Sequence, residues 1–374
     1  METNSDILII GGGLAGLTAA IHLSQNNLKV TLIEKAVYPR HKVCGEYISN
    51  EILPYLKWLG ADVSELDPTE ISQFEFTTST GKAATAKLPL GGFGISRYAL
   101  DAFLYQKAIA YNCTVIKENV TDVSFSDDMF TVTTGNQVLT AKIVLGAFGK
   151  RSNIDQVLDR KFFHKKSHWL AVKAHYAGNI DSDLVSLHNF NGGYCGVSKV
   201  ENNIINICYL ADYATFKQYK NIEDYQQNVL YKNKHLKSVF ENSTLLFDKP
   251  LTISQISFEK KQPVENHIIM IGDTAGLIHP LCGNGMAMAI HSAKIASELI
   301  LDFYKNDISR PQLERNYIKE WNSHFGKRIV MGRILAHILT HKTITNIFVA
   351  VVASFPKILP EIIKQTHGKP ITIN

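Results

Sequence analysis

The sequence predicts an α/β fold in which a parallel sheet built from a βαβ unit carries an inserted antiparallel sheet and ends in helices. Three observations predict it. A strand, a glycine turn, a helix and a second strand open the chain at residues 6–34, a further apolar strand ending in Gly-Asp returns at 268–273, and short alternating stretches fill 161–260. At 374 residues the chain exceeds a usual single domain, so its first domain is expected to be discontinuous. The expected parts are 1–75, 95–155 and 265–330, with 76–94 and 156–264 forming the second domain and 331–374 a C-terminal helical segment.

Asp6-Ile7-Leu8-Ile9-Ile10 is a continuous apolar run rich in β-branched residues, which suits a strand buried on both faces of a parallel sheet. Gly11-Gly12-Gly13-Leu14-Ala15-Gly16 follows and reads G-x-G-x-x-G. Gly11 allows the tight turn, Gly13 lets the backbone approach a pyrophosphate, and Gly16 lets helix and strand pack closely. A helix through Gln25 presents its N-terminal N–H groups to the diphosphate. Asn26-Asn27 breaks it, and a second strand, 28–33, ends at Glu34. An acid there accepts hydrogen bonds from a ribose 2′-OH and disfavours a 2′-phosphate. Glu34 and the adjoining Lys35 are thus candidate residues at the nucleotide end of a Rossmann-like site.

The distal strand, Ile268 to Asp273, leads into Thr274-Ala275-Gly276-Leu277-Ile278-His279-Pro280-Leu281-Cys282-Gly283-Asn284-Gly285-Met286 and then a helix-like run through Tyr304. This stretch resembles the p-hydroxybenzoate hydroxylase superfamily, whose geranylgeranyl reductase, hydroxylase and halogenase branches share a Gly-Asp, Pro-x-x-Gly-x-Gly pattern. The resemblance implies FAD, with Gly272 and Asp273 at the ribityl chain and Pro280, Gly283, Gly285 and Met286 at the flavin N1/O2 edge. The physics agrees, because a helix N-terminus stabilises the negative charge of a reduced flavin.

Two more segments resemble the same superfamily. Arg40-His41-Lys42-Val43-Cys44-Gly45 looks like the Arg-x-Lys-x-Cys-Gly stretch of the geranylgeranyl-reductase-like branch, which implies that Arg40, Cys44 and Gly45 lie along the cofactor. Arg97, opening Arg-x-x-Leu-Asp, matches a helix start whose base contacts FAD. The sequence departs at 144–152, where the family has Gly-Ala-Asp-Gly and this chain has Gly146-Ala147-Phe148-Gly149. Loss of that acid leaves NAD(P)H only a default as transient electron donor.

The alternating stretches 169–176 and 203–210, with a Gly192-Gly193 turn between them, read as antiparallel strands. In the fold implied by the resemblance, a Rossmann-like FAD-binding domain with an inserted antiparallel-sheet substrate domain and C-terminal helices, that sheet covers the flavin. Tyr194, Tyr209 and Trp169 are the candidate pocket aromatics, and Gly193-Tyr194 resembles a family element. Residues 329–363 turn apolar between flanking bases. They are expected to form packed helices, with peripheral contact to a membrane surface or a lid over a lipophilic substrate as alternatives.

With 45% hydrophobic and 20% charged residues the composition is that of a folded chain. The net charge of +5 comes without a basic-aromatic block, so no nucleic-acid partner is expected. Five scattered cysteines without C-x-x-C spacing argue against a disulfide framework and a zinc site and fit a reducing cytoplasm. The polar N-terminus has no signal-peptide pattern, so export is not expected.

These readings converge on an FAD-dependent oxidoreductase. Its first expected reaction is monooxygenation of an apolar or aromatic secondary metabolite or lipid-like substrate. The alternative is reduction of isoprenoid or polyene C=C bonds, with Cys44 as candidate proton donor. A non-catalytic FAD-binding protein is the minor alternative. The halogenase Trp-x-Trp-x-Ile-Pro element is absent, since the only tryptophans are Trp58, Trp169 and Trp321.

Overall fold

The computed structural model describes residues 3–355 and 357–373. Two sheets organise it. In the first, the parallel strands run in the order Ile268–Met270, Val138–Gly146, Thr3–Ile10, Val30–Ile33 and Thr114–Ile116. An antiparallel pair, Val120–Ser126 and Met129–Thr134, continues off Val138–Gly146. The apolar run Ile7 to Ile10 is at most 4% exposed, as a strand with both faces covered must be.

The helix Leu14–Gln25 follows the glycine turn and is buried from Leu14 to Leu23, packed between the helices Arg97–Ala110 and Gly285–Tyr304. Gly11 has φ +108°, and a Cβ there would stand 2.4 Å from the Ala147 carbonyl oxygen. A Cβ on Gly16 would stand 2.0 Å from the Gly11 oxygen. The two glycines therefore permit a strand–helix approach that any side chain would prevent.

The second sheet has nine strands, antiparallel except where Leu184–Phe190 runs parallel to Thr69–Thr77. The expected Gly192-Gly193 turn joins Leu184–Phe190 to Gly193–Lys199, with Phe190 opposite Gly193 and Gly192 at φ +83°. The expected boundary at residue 75 falls inside Thr69–Thr77, and Tyr47–Ser49 also lies in this sheet. Residues from 310 onward form the helices Arg310–Thr340, Lys342–Ser354 and Ile358–Thr366. Pro356, within the expected apolar segment 329–363, lies outside the described residues. No single helix among the described residues is long and apolar enough to cross a membrane.

Candidate active site

A cavity of about 640 Å³ lies between the two sheets. One end is walled by Gly11, Gly13, Glu34 and Lys35, and another stretch of its wall by Gly272, Asp273, Pro280, Gly283, Gly285 and Met286. Segments some 260 residues apart in sequence thus border one space, because the strands 3–10 and 268–270 flank 138–146 in the same parallel sheet. Arg40, Cys44, Gly45 and Arg97 line it as well. Gly16 does not; it serves the close packing described above.

The fit of this space to FAD is tested by its polar groups. Gly13 caps the first helix without a side-chain cap, so the first-turn N–H groups remain available to an anion. A Cβ on Gly13 would have nothing nearer than Arg97 Nη2 at 3.8 Å, which leaves open space between the turn and that base. Arg97 is held there by Asp101, whose two oxygens accept from its Nε and Nη2 at 2.7 Å each, and Lys42 donates to the same carboxylate at 2.7 Å. Glu34 accepts from the Gly12 N–H at 2.9 Å and pairs with Arg40 at 3.1 Å. At the other end, Gly283 takes φ +63°, and the helix Gly285–Tyr304 begins at Asn284 with no side-chain cap. The Asn284 side chain is instead engaged by Glu51 and Arg328. Two uncapped helix starts and a base facing one elongated space suit a dinucleotide whose diphosphate and reduced ring both carry negative charge.

Phe148, where the family has an acid, half-buries its ring over Gly146; a Cβ there would meet Phe148 Cε1 at 2.9 Å. The loop is fastened from behind. Gly149 donates to Thr274 Oγ1 at 2.8 Å, and Lys261 Nζ donates to the carbonyls of Lys150 and Asp273, both at 2.8 Å. Burial lowers the Lys261 pKa to about 8, while Asp155 and Asp273 counteract it. Arg160, 1% exposed, donates to Asp155, Glu265 and the carbonyls of Thr274 and Gln262.

The remaining wall is apolar, formed by Ala171, Leu187, Leu210, Ile253, Ile256 and Leu277. Tyr194 lies on it, with its hydroxyl 3.3 Å from His279 Nδ1. Burial pushes the Tyr194 phenol well above its ordinary pKa and brings His279 down to about 3, so both stay neutral near pH 7. The other two expected aromatics behave differently. Tyr209 borders the cavity along its strand, but alternation sends its ring into the opposite cluster with Ile207, Ala211 and Tyr225. Trp169 is outside the lining: it opens its strand, two residues before Ala171, edge-on to the stacked Phe258–His279 pair.

Cys44 lines the cavity and places Sγ 3.5 Å from Met286 Sδ, in the first turn of the distal helix. Asn206 holds the backbone there, donating to the Cys44 and Gly45 carbonyls at 3.2 and 2.9 Å. Next to them is an ionic group that sequence reasoning missed. The Glu46 carboxylate, fully buried and at φ +55°, accepts from Lys173 Nζ at 3.1 Å, His175 Nε2 at 2.7 Å and the Arg97 N–H at 2.8 Å. Burial opposes its ionisation, but the His175 hydrogen bond and Lys173 outweigh that and hold its pKa below the usual carboxylate value. A signal existed: Lys173 and His175 share the strand face of cavity-lining Ala171, polar residues on the inward positions of an alternating strand.

Residues 6–42 match the family described as FAD dependent oxidoreductase (DAO). Conditioned medium factor receptor 1 of Dictyostelium discoideum is 24% identical over 90% of this chain and 71% of its own length. Digeranylgeranylglycerophospholipid reductase of Methanococcus vannielii is 21% identical over 97% of this chain and 93% of its own. The flavin-dependent brominase Bmp2 shares the fold, with a TM-score of 0.79 at 18% identity over 97% of this chain and 93% of that one. The chain is an FAD-dependent oxidoreductase. Its fold is that of solved flavoproteins that include halogenases, a probable FAD-dependent monooxygenase and a geranylgeranyl bacteriochlorophyll reductase-like protein.

Proposed function

We propose that this chain reduces carbon–carbon double bonds in an elongated apolar substrate such as an isoprenoid. The observation that carries this reading is the Cys44 thiol on the cavity wall, beside Met286 at the helix start assigned to the flavin edge. When bound and reduced, FAD supplies a hydride or the electrons that activate O₂. The chain supplies the rest. Leu187, Leu210, Ile253, Ile256 and Leu277 hold an apolar substrate and exclude water. With a hydride supplied to one alkene carbon, Cys44 Sγ–H would give its proton to the other, and solvent would restore the thiol. Arg97 and the Gly11–Gly13 turn would hold the diphosphate, Glu34 the ribose, and Asp273 the ribityl chain. A nicotinamide dinucleotide remains the default two-electron donor. Five free cysteines suit a reducing compartment such as the cytoplasm.

Monooxygenation is the second reading, and Tyr194 favours it. Its neutral hydroxyl is a polar anchor in an otherwise apolar wall, suited to a hydroxylated aromatic ring.

The test is single turnover of the reduced protein without oxygen, using a polyprenyl substrate. Product heavier by two hydrogens is expected, lost in Cys44→Ala with FAD still bound. Turnover that requires O₂ and proceeds unchanged in Cys44→Ala would move the assignment to monooxygenation.

A further inference from the structure

We propose that the helix Lys342–Ser354 docks this protein on an anionic lipid surface, through an outward stripe of Ile344, Ile347, Val351 and the following Phe355. Their spacing of three, four and four residues places them on one face. They are 43, 61, 43 and 62% exposed, and Val330 and Ile334 on the preceding helix are 54 and 49% exposed. The inward face is apolar apart from Thr345, whose hydroxyl is satisfied by the Ile338 and His341 carbonyls. Val349 and Val352 are buried in the same cluster as Leu187, Tyr194, Leu210 and Leu277, which line the cavity. A helix apolar on both faces belongs in an apolar surrounding, and here the protein supplies only half of one.

Charge identifies the other half. From Trp321 to Pro360 the chain has forty residues without an Asp or Glu, but with Lys327, Arg328, Arg333, Lys342 and Lys357. Arg328 is consumed internally by Glu51, whereas Lys327, Arg333 and Lys357 are exposed. A second copy of this chain meeting the stripe across a two-fold axis would bring these bases against themselves. An anionic bilayer complements both the apolar stripe and its basic flanks, each base strengthening partition about five-fold. The helix has 13 residues and spans about 20 Å at 1.5 Å per residue, short of the roughly 30 Å hydrocarbon core, so it lies in the interfacial plane. Docked this way, it stands between the lipid and the cavity wall as a lid through which an apolar substrate passes. The docking does not depend on which reaction the cavity performs.

The experiment is flotation of the full-length FAD-loaded protein with phosphatidylcholine vesicles, with and without about one-third phosphatidylglycerol. The protein is expected to float with the anionic vesicles and to remain mostly unbound with the neutral ones. Ile347→Asp combined with Phe355→Asp should cut flotation at least ~10-fold with the flavin spectrum and melting temperature unchanged. Lys327→Glu combined with Lys357→Glu, both exposed, should cut it similarly and supports the proposal even if the first pair folds poorly. Wild-type protein left unbound by anionic vesicles, or both double variants floating like wild type, overturns it. So does a wild-type dimer by light scattering that the aspartates convert to monomer, which would assign the stripe to a second copy.

Discussion

Replacing Glu46 with Gln is expected to destabilise the protein severely. Glu46 and Lys173 are both fully buried, and Gln keeps the volume but removes the charge that compensates the ammonium 3.1 Å away. Breaking a buried ion pair by removing one partner costs about 3–5 kcal/mol, because the other charge stays buried without compensation. Unfolding entropy of roughly 2.1 cal/mol/K per residue comes to ~0.8 kcal/mol/K for this chain, so the loss lowers the melting temperature by about 4–6 °C. Lys173→Met added to Glu46→Gln should recover most of it, since no buried charge is then left without a partner. The pH dependence has a definite sign. The folded pKa of Glu46 lies below its unfolded value near 4.5, so its contribution is complete above that value and disappears as pH falls through the folded pKa. The gap between wild type and Glu46→Gln should therefore be full at pH 7 and shrink in acid below 4.5. Glu51, raised by burial, acts in the opposite sense and cancels in the difference between the two proteins. Denaturant titration at pH 7 and in acid measures both effects. A Glu46→Gln protein within about 1 kcal/mol of wild type at pH 7 would refute the reasoning.

Two other substitutions follow from the site. Gly11→Ala should abolish flavin retention, seen as a colourless preparation, because its Cβ would collide with the Ala147 carbonyl at a φ that disfavours side chains. Arg160→Ala removes four donor contacts from behind the Phe148 loop and leaves Asp155 buried. It should cost about 3–5 kcal/mol in denaturant unfolding and loosen FAD as well.

Much of the first sheet was legible because its signals are local. Ile7 to Ile10 is apolar without interruption, the glycines follow at fixed spacing, and Gly285–Tyr304 begins where the Gly-x-Gly pattern ends. The pocket aromatics were less legible. Tyr194 and Tyr209 look alike in sequence, yet strand alternation turns one ring to the cavity and the other to the opposite core, while Trp169 lies beyond the cavity edge. Glu46 was hidden for another reason: its partners Lys173 and His175 are about 130 residues away and meet it only when the second sheet closes over residues 40–46.

Sequence by itself determined the parallel core, the glycine turn and the presence of a dinucleotide site, because these depend on neighbours within a few residues. Tertiary structure alone decided that Cys44 Sγ meets Met286 Sδ and that Glu46 is compensated by Lys173. Contacts between distant segments depend on register and strand order, and no local pattern specifies either.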